Sequence, residues 1–204
     1  AQKQQINLPF SEDASILREK LTVGGTVVPN RIAVQPMEGC DGDADGRPGE
    51  LTLRRYDKFA QSGAGLIWEE ATAVWEEGRA NPRQLWINEK NVDALKAMTD
   101  RIREISLREN GFAPVIIMQA THSGRYSKPQ GVPAPLIAYN NPLFEKDAPI
   151  PAERIVTDEY LHRLVERMGE AARLAEKAGF DGVDIKSCHR YLGSELLSAY
   201  TREG

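Results

Sequence analysis

"PVIIMQATHSGR", residues Pro114 to Arg125, opens as an apolar run and closes as a cluster of polar groups. Val115, Ile116, Ile117 and Met118 follow one another without a polar partner, as in a parallel strand buried on both faces, and Gln119 and His122 then stand at the carboxyl end. Three other runs repeat the arrangement. "RIAVQPM" from Arg31 is followed by Glu38, "AGLIWEEATAV" from Ala64 carries Glu69, Glu70 and Thr72, and "GVDIKSCH" from Gly182 leads through Lys186 and His189 to Tyr191.

Helical patterns separate the runs. Leu53 to Ser62 is short, with Thr52 as its expected N-cap and Gly63 as its stop. From Val92 to Arg108, the residues Val92, Leu95, Ile102 and Ile105 keep one face apolar, and Asn110-Gly111 ends the pattern. A third helix starts behind Thr157, with Asp158 and Glu159 in its positive first turn. It sets Leu161, Leu164, Val165, Met168, Ala172 and Ala175 on one side and stops at Gly179. A fourth begins near Ser194. Prolines at 129, 133, 135, 142, 149 and 151 make Pro129 to Pro151 an ordered excursion or lid over the strand ends.

Strand and helix in alternation imply βαβ units and a parallel sheet, either doubly wound or closed into a barrel. No GxGxxG or GxxxxGK[ST] follows the first strand, which removes the main reason for a nucleotide-binding doubly wound sheet. Polar residues at the carboxyl ends of all four strands are where barrel enzymes place their chemistry. A whole barrel takes about 250 residues and eight strands. Four strands are visible here, so the expected fold is α/β, a partial TIM (β/α)8 barrel of about the first four βα units. Residues 1–204 then form the N-terminal half of one barrel domain.

Composition narrows the function. The apolar share of 41% and charged share of 27% are those of a foldable globular chain. A net charge of −4 excludes the excess of Lys and Arg with which proteins bind nucleic acid or anionic membranes. Two distant cysteines, Cys40 and Cys188, form neither a CxxC nor a disulfide framework and favour reduced thiols in a cytoplasm. The N-terminal "AQKQQINLPF" lacks an export h-region, and no apolar run nears the roughly 18 residues of a membrane span.

Two motifs point toward metal and then away from it. "DGDADG", Asp41 to Gly46, opens like a calcium loop, but the twelfth position is Thr52 instead of a bidentate Glu, and Pro48 interrupts it. A solvated acidic βα loop is the simpler reading. Cys188 and His189 suggest zinc or a thiol nucleophile, yet neighbours on a strand face opposite ways. No metal site is expected. His162, alone on the third helix, reads as structural.

"MQATHSGRYSKP" from Met118, taken with "NRIAVQPM", "YDKFAQSGAGLIWEEATAV", "EGRANPRQLWI" and "GFDGVDIKSCHRYLGSELLSAYTR", resembles the old yellow enzyme family of FMN-dependent ene reductases and its dienoyl-CoA reductase-like relatives. The likeness runs from about Leu21 to Gly204, and its strength lies in five motifs in the right order.

The resemblance implies a TIM barrel with FMN at the carboxyl-terminal mouth and NADH or NADPH as reductant. It places Pro36, Met37 and Glu38 around the flavin, Ala71 with its backbone against the ring, and Gln119 on the pyrimidine edge. A glutamine amide offers such an edge both a donor and an acceptor. His122 supports its loop. Lys186 and His189 fall where the family holds the substrate carbonyl oxygen, and Tyr191 where a tyrosine gives the proton. Two departures stand out: Glu38 replaces a small polar or thiol residue, and Lys186 replaces a histidine. The expected activity is reduction of an activated C=C bond of a small molecule by hydride from flavin N5, with this chain alone inactive. A homo-oligomer or pairing through open barrel edges is expected. The alternatives are a non-catalytic binding module and a metal-dependent lyase or hydrolase at the same mouth.

Overall fold

The computed structural model describes Pro9 and residues 11–202, so most of the N-terminal stretch and the last two residues reached by the resemblance lie outside the described residues. A hairpin, β1 (Leu21–Val23) and β2 (Thr26–Val28), precedes a four-stranded parallel sheet of β3 (Ala33–Val34), β4 (Leu66–Ala73), β5 (Val115–Thr121) and β6 (Gly182–Ile185). The helices α1 (Glu50–Gln61), α2 (Val92–Asn110) and α3 (Asp158–Lys177) connect them, and α4 (Leu192–Leu196) follows. Spatial order equals chain order, β3-β4-β5-β6, as in consecutive staves of a barrel; a doubly wound sheet would reverse direction. The chain is a partial (β/α)8 barrel. Among the described residues no helix is long and apolar enough to cross a membrane.

Strand alternation divides the sheet. Ile67, Ile116, Met118 and Ala120 are fully buried and share a core with Leu95, Met98 and Ile102 of α2 and Leu174 and Ala175 of α3. Each large member contributes about 1.5–3 kcal/mol of apolar burial. In register on the opposite face stand Trp68 with Ile117, then Ala71 with Gln119 and Asp184. An extra residue between Trp68 and Ala71 bulges β4 and changes which face the following residues meet. Asp181 pins the edge strand, its Oδ2 accepting from Ile116 N at 2.8 Å and from Arg103 at 2.9 Å.

Several expectations shift. The first strand keeps only Ala33–Val34 in the ladder, because Pro36 has no N–H and forces Gln35 out of line. α1 starts at Glu50 behind Gly49, and Thr52 is not the N-cap. Its hydroxyl sits inside the first turn, accepting from Gly49 N at 3.3 Å and donating to Asp41 Oδ1 at 2.7 Å. The fourth strand ends at Ile185, and α4 begins at Leu192 with Tyr191 as its N-cap. Val165 of α3 is 70% exposed because the flank beside Ile185 is open. His162 is exposed. The hairpin was legible in "LTVGGTVV" as two β-branched runs around Gly24-Gly25 and was missed.

Gly46 of "DGDADG" serves packing. It has φ +87, and a Cβ there would lie 2.6 Å from Trp86 Cβ. The carboxylates of the loop are engaged separately, Asp41 by Arg55 and Asp45 by Arg47, and among the described residues no three metal-binding groups converge.

His122, at the exit of β5, is buried between α3 and the turn at Glu76–Gly78. Its Nδ1 accepts from Gly124 N at 3.1 Å, so Nε2 carries the proton and donates to Tyr160 Oη at 2.8 Å. Tyr160 in turn donates to Glu77 at 2.6 Å. Burial pushes the imidazole pKa down to about 4.

Gly46→Ala should therefore destabilise the fold by about 2–3 kcal/mol, through left-handed strain and the Trp86 clash, and lower the urea midpoint. For His122, the unfolded chain takes up the proton first, near pH 6.5, so the neutral ring's stabilisation is complete above that pH and is lost as pH falls toward 4. Glu195, which burial raises to about 7, acts in the opposite sense across the same window. The diagnostic is thus a difference: His122→Asn should cost on the order of 3 kcal/mol more at pH 7.5 than at pH 4.5, compared with wild type by urea unfolding.

Candidate active site at the strand ends

The loop leaving β3 crosses the strand ends and is fastened from beneath. Glu70, 1% exposed, accepts Gly39 N at 2.9 Å and the Arg55 guanidinium at 2.5 Å. Arg55 also holds Asp41 at 2.9 Å, so a single cation joins α1, β4 and the loop. Glu69 lies wholly inside, where burial, with the charge of Glu70 beside it, pushes its carboxyl well above the usual range. Thr72 Oγ1 donates to it at 2.8 Å.

Above this foundation the polar residues of the sheet's open face form two groups. Gln119 Nε2 donates to Asp184 Oδ2 at 2.8 Å, and Gln119 Oε1 has no partner among the described residues. The β5 ladder extends by one bond, Lys186 N to Ala120 O at 2.9 Å, so Lys186 shares the face of Asp184 two positions earlier. Its side chain is 3% exposed, and its ammonium pairs with Glu38 Oε1 at 3.1 Å and lies 4.5 Å from the centre of the Tyr191 ring. Tyr191 Oη donates to the same Glu38 oxygen, also at 3.1 Å. Burial first, and then the Glu38 charge, raise the phenol above its ordinary pKa and keep its proton in place at neutral pH.

Glu38, Lys186 and Tyr191 thus meet, with Gln119 and Ala71 in register on the same face of the sheet. Pro36 is half-buried and Met37 is 60% exposed on the rim. His189 does not join Lys186 over Glu38. The strand has ended before it, its backbone is left-handed at φ 56, and its exposed ring lies 6.3 Å from that of Tyr191. The alternation used to separate Cys188 from His189 therefore does not operate there.

Two contributors were not foreseen. Asp184 was within reach of the alternation rule, standing two positions before Lys186. Arg125 was not, because its partners are remote: it is buried between Glu145 of the proline-rich segment and Glu195 of α4, the latter at 2.6 Å. Ala138 N donates to Glu195 at 2.8 Å and Asn141 N to Glu145 at 2.7 Å, so the segment is fastened to the exits of β5 and β6. A cavity of about 570 Å³ walled by Trp75, Trp86 and Arg167 opens on the helix side and contains none of these groups.

The chain is similar to NADPH dehydrogenases in sequence and to old yellow enzymes in structure. The chain is 32% identical over 190 residues to an NADPH dehydrogenase of Geobacillus thermodenitrificans, covering 90% of this chain and 51% of that protein. It is 29% identical over 181 residues to an NADPH dehydrogenase of Clostridium acetobutylicum, covering 88% and 50%. The chain therefore spans about half the length of the curated relatives it matches. Among solved structures, the old yellow enzyme homologue of Zymomonas mobilis superposes with a TM-score of 0.68 at 26% identity, over 86% of this chain and 49% of that one. A 2-naphthoyl-CoA reductase in complex with 2-naphthoyl-CoA gives a TM-score of 0.74 at 19% identity, over 87% and 28%, a likeness of fold. The profile of one flavoprotein family matches residues 17–203. On that match the chain belongs to the NADH:flavin oxidoreductase / NADH oxidase family.

Proposed function

We propose that the protein is an FMN-dependent oxidoreductase that takes electrons from NADH or NADPH and reduces an activated carbon–carbon double bond. The observation that carries the reading is the convergence of Lys186 Nζ and Tyr191 Oη on one oxygen, each at 3.1 Å, beside the open amide of Gln119. The donor set fits a flavin: Gln119 Oε1 is free to accept a ring N–H, Ala71 offers no side chain beyond its Cβ, and Glu38 is neutralised by Lys186. Pro36 and Met37 would line the ring's edge from the first loop.

Bound FMN supplies the hydride. Lys186, with His189 swung inward from the rim, holds the carbonyl oxygen of the substrate and stabilises the negative charge that builds there as the β-carbon receives hydride. Tyr191 Oη gives its proton to the α-carbon and recovers one from water, so that one C=C bond becomes a single bond with two new C–H bonds and one NAD(P)H is oxidised. Glu38 holds both donors until the substrate oxygen takes its place.

Barrels hold phosphate at the seventh and eighth βα loops, which are not among the four units described. This chain alone is then inactive and should lose added flavin on gel filtration. Its open edges β3 and β6 favour pairing with a second copy, and a stable monomer in sedimentation would count against that.

In the full-length protein, Tyr191→Phe should slow reoxidation of reduced flavin by 2-cyclohexenone by about 10²- to 10⁴-fold, while flavin reduction by NADPH stays within about twofold. Stopped-flow absorbance separates the two steps. Equal losses in both, or no flavin band in the wild type, would defeat the proposal.

A further inference from the structure

Two adjacent non-glycine residues, His189 and Arg190, have left-handed backbones, with φ of 56 and 59. Side chains are strained in that region, and such a conformation persists only where the surroundings hold it. One restraint is local: Tyr191 N donates to Cys188 O at 3.1 Å and closes the turn just ahead of α4. The other comes from the proline-rich segment. The Arg190 guanidinium lies 4.5 Å from the centre of the Phe144 ring, and the Arg125 guanidinium lies 5.0 Å from the same centre.

Phe144 is 47% exposed and outside the main core, so apolar burial does not explain its position. Its neighbour Glu145 is anchored by the buried Arg125, which also anchors Glu195 in the helix that Tyr191 caps. The ring and the strained turn therefore hang from one cation.

We propose that Phe144 is a positioning residue: its ring, against Arg190 and Arg125, holds the His189–Arg190 turn in its left-handed form and so keeps Tyr191 over the mouth and His189 at its rim. Lifting the segment withdraws the ring and releases the turn, so access to the mouth and the aim of the proton donor change together. The consequence for catalysis rests on the roles given to His189 and Tyr191 above. The clamp itself does not.

Amide hydrogen exchange of residues 187–193, measured on this chain, tests the clamp without flavin. Phe144→Leu should raise exchange there about tenfold, and Phe144→Tyr, which keeps the ring, should stay near wild type. Glycine adopts the left-handed form freely, so in an Arg190→Gly background Phe144→Leu should change exchange by less than about twofold. Wild-type exchange in Phe144→Leu, the same increase in both backgrounds, or exchange rising equally in α1 and α2 would overturn the proposal. In the full-length holoprotein, Phe144→Leu should lower kcat/KM for the alkene about tenfold, with flavin absorbance and flavin reduction by NADPH unchanged. Faster exchange with unaltered kinetics would leave the clamp standing and overturn the placing of His189 and Tyr191 in the site.

Discussion

An ammonium almost removed from water has to be matched, and Lys186 is matched by Glu38. Lone buried charge is costly enough that the pair must form or the lysine must lose its proton. From this follows much of the mouth. The β3 exit loop has to bring Glu38 across the strand ends, Arg55 has to fix that loop to Glu70, and the bulge in β4 has to make room for Glu70 beneath it. Tyr191 completes the arrangement by sharing the oxygen that Lys186 uses.

The same pair bears on the two departures that the resemblance implies, Glu38 and Lys186. On the function proposed above, a carboxylate at Glu38 would oppose the negative charge of a reduced flavin, and the positive charge of Lys186 would offset it. Together they nearly cancel. The two opposite charges, 148 residues apart in the chain, meet at 3.1 Å.

How much of this was legible depended on the range of the forces involved. Apolar runs and their polar ends are local, so the strands, the first three helices and the gathering of Gln119, Lys186 and Tyr191 at one mouth could be read directly. The ends of elements were less legible, because Thr52 and Pro36 act through single hydrogen bonds or their absence, and a one-residue difference in cap or ladder leaves no periodic trace. Contacts across the chain left none at all. Arg125 looks like one more surface arginine in "HSGRYSKP" until the fold brings Glu145 and Glu195 to it. His189 was assigned by its place in a motif, while the backbone turn that sets it on the rim depends on groups outside that motif.

The extra residue in β4 has an implication for how such a chain can vary. Upstream of it, odd and even positions meet one environment, and downstream they meet the other; Trp68 and Ala71 share a face although three positions apart. A single deletion at Glu69 or Glu70 would remove the bulge and leave a regular ladder with Ala71 still opposite Gln119, whereas a deletion or insertion after Ala71 would turn every later side chain of the strand over, sending Thr72 or Ala73 to the wrong face. Drift in length is therefore tolerated by the ladder only at the bulge and barred in the paired residues beyond it, whereas the connection between Pro129 and Pro151 lies outside any ladder but for one bridge at Ile137.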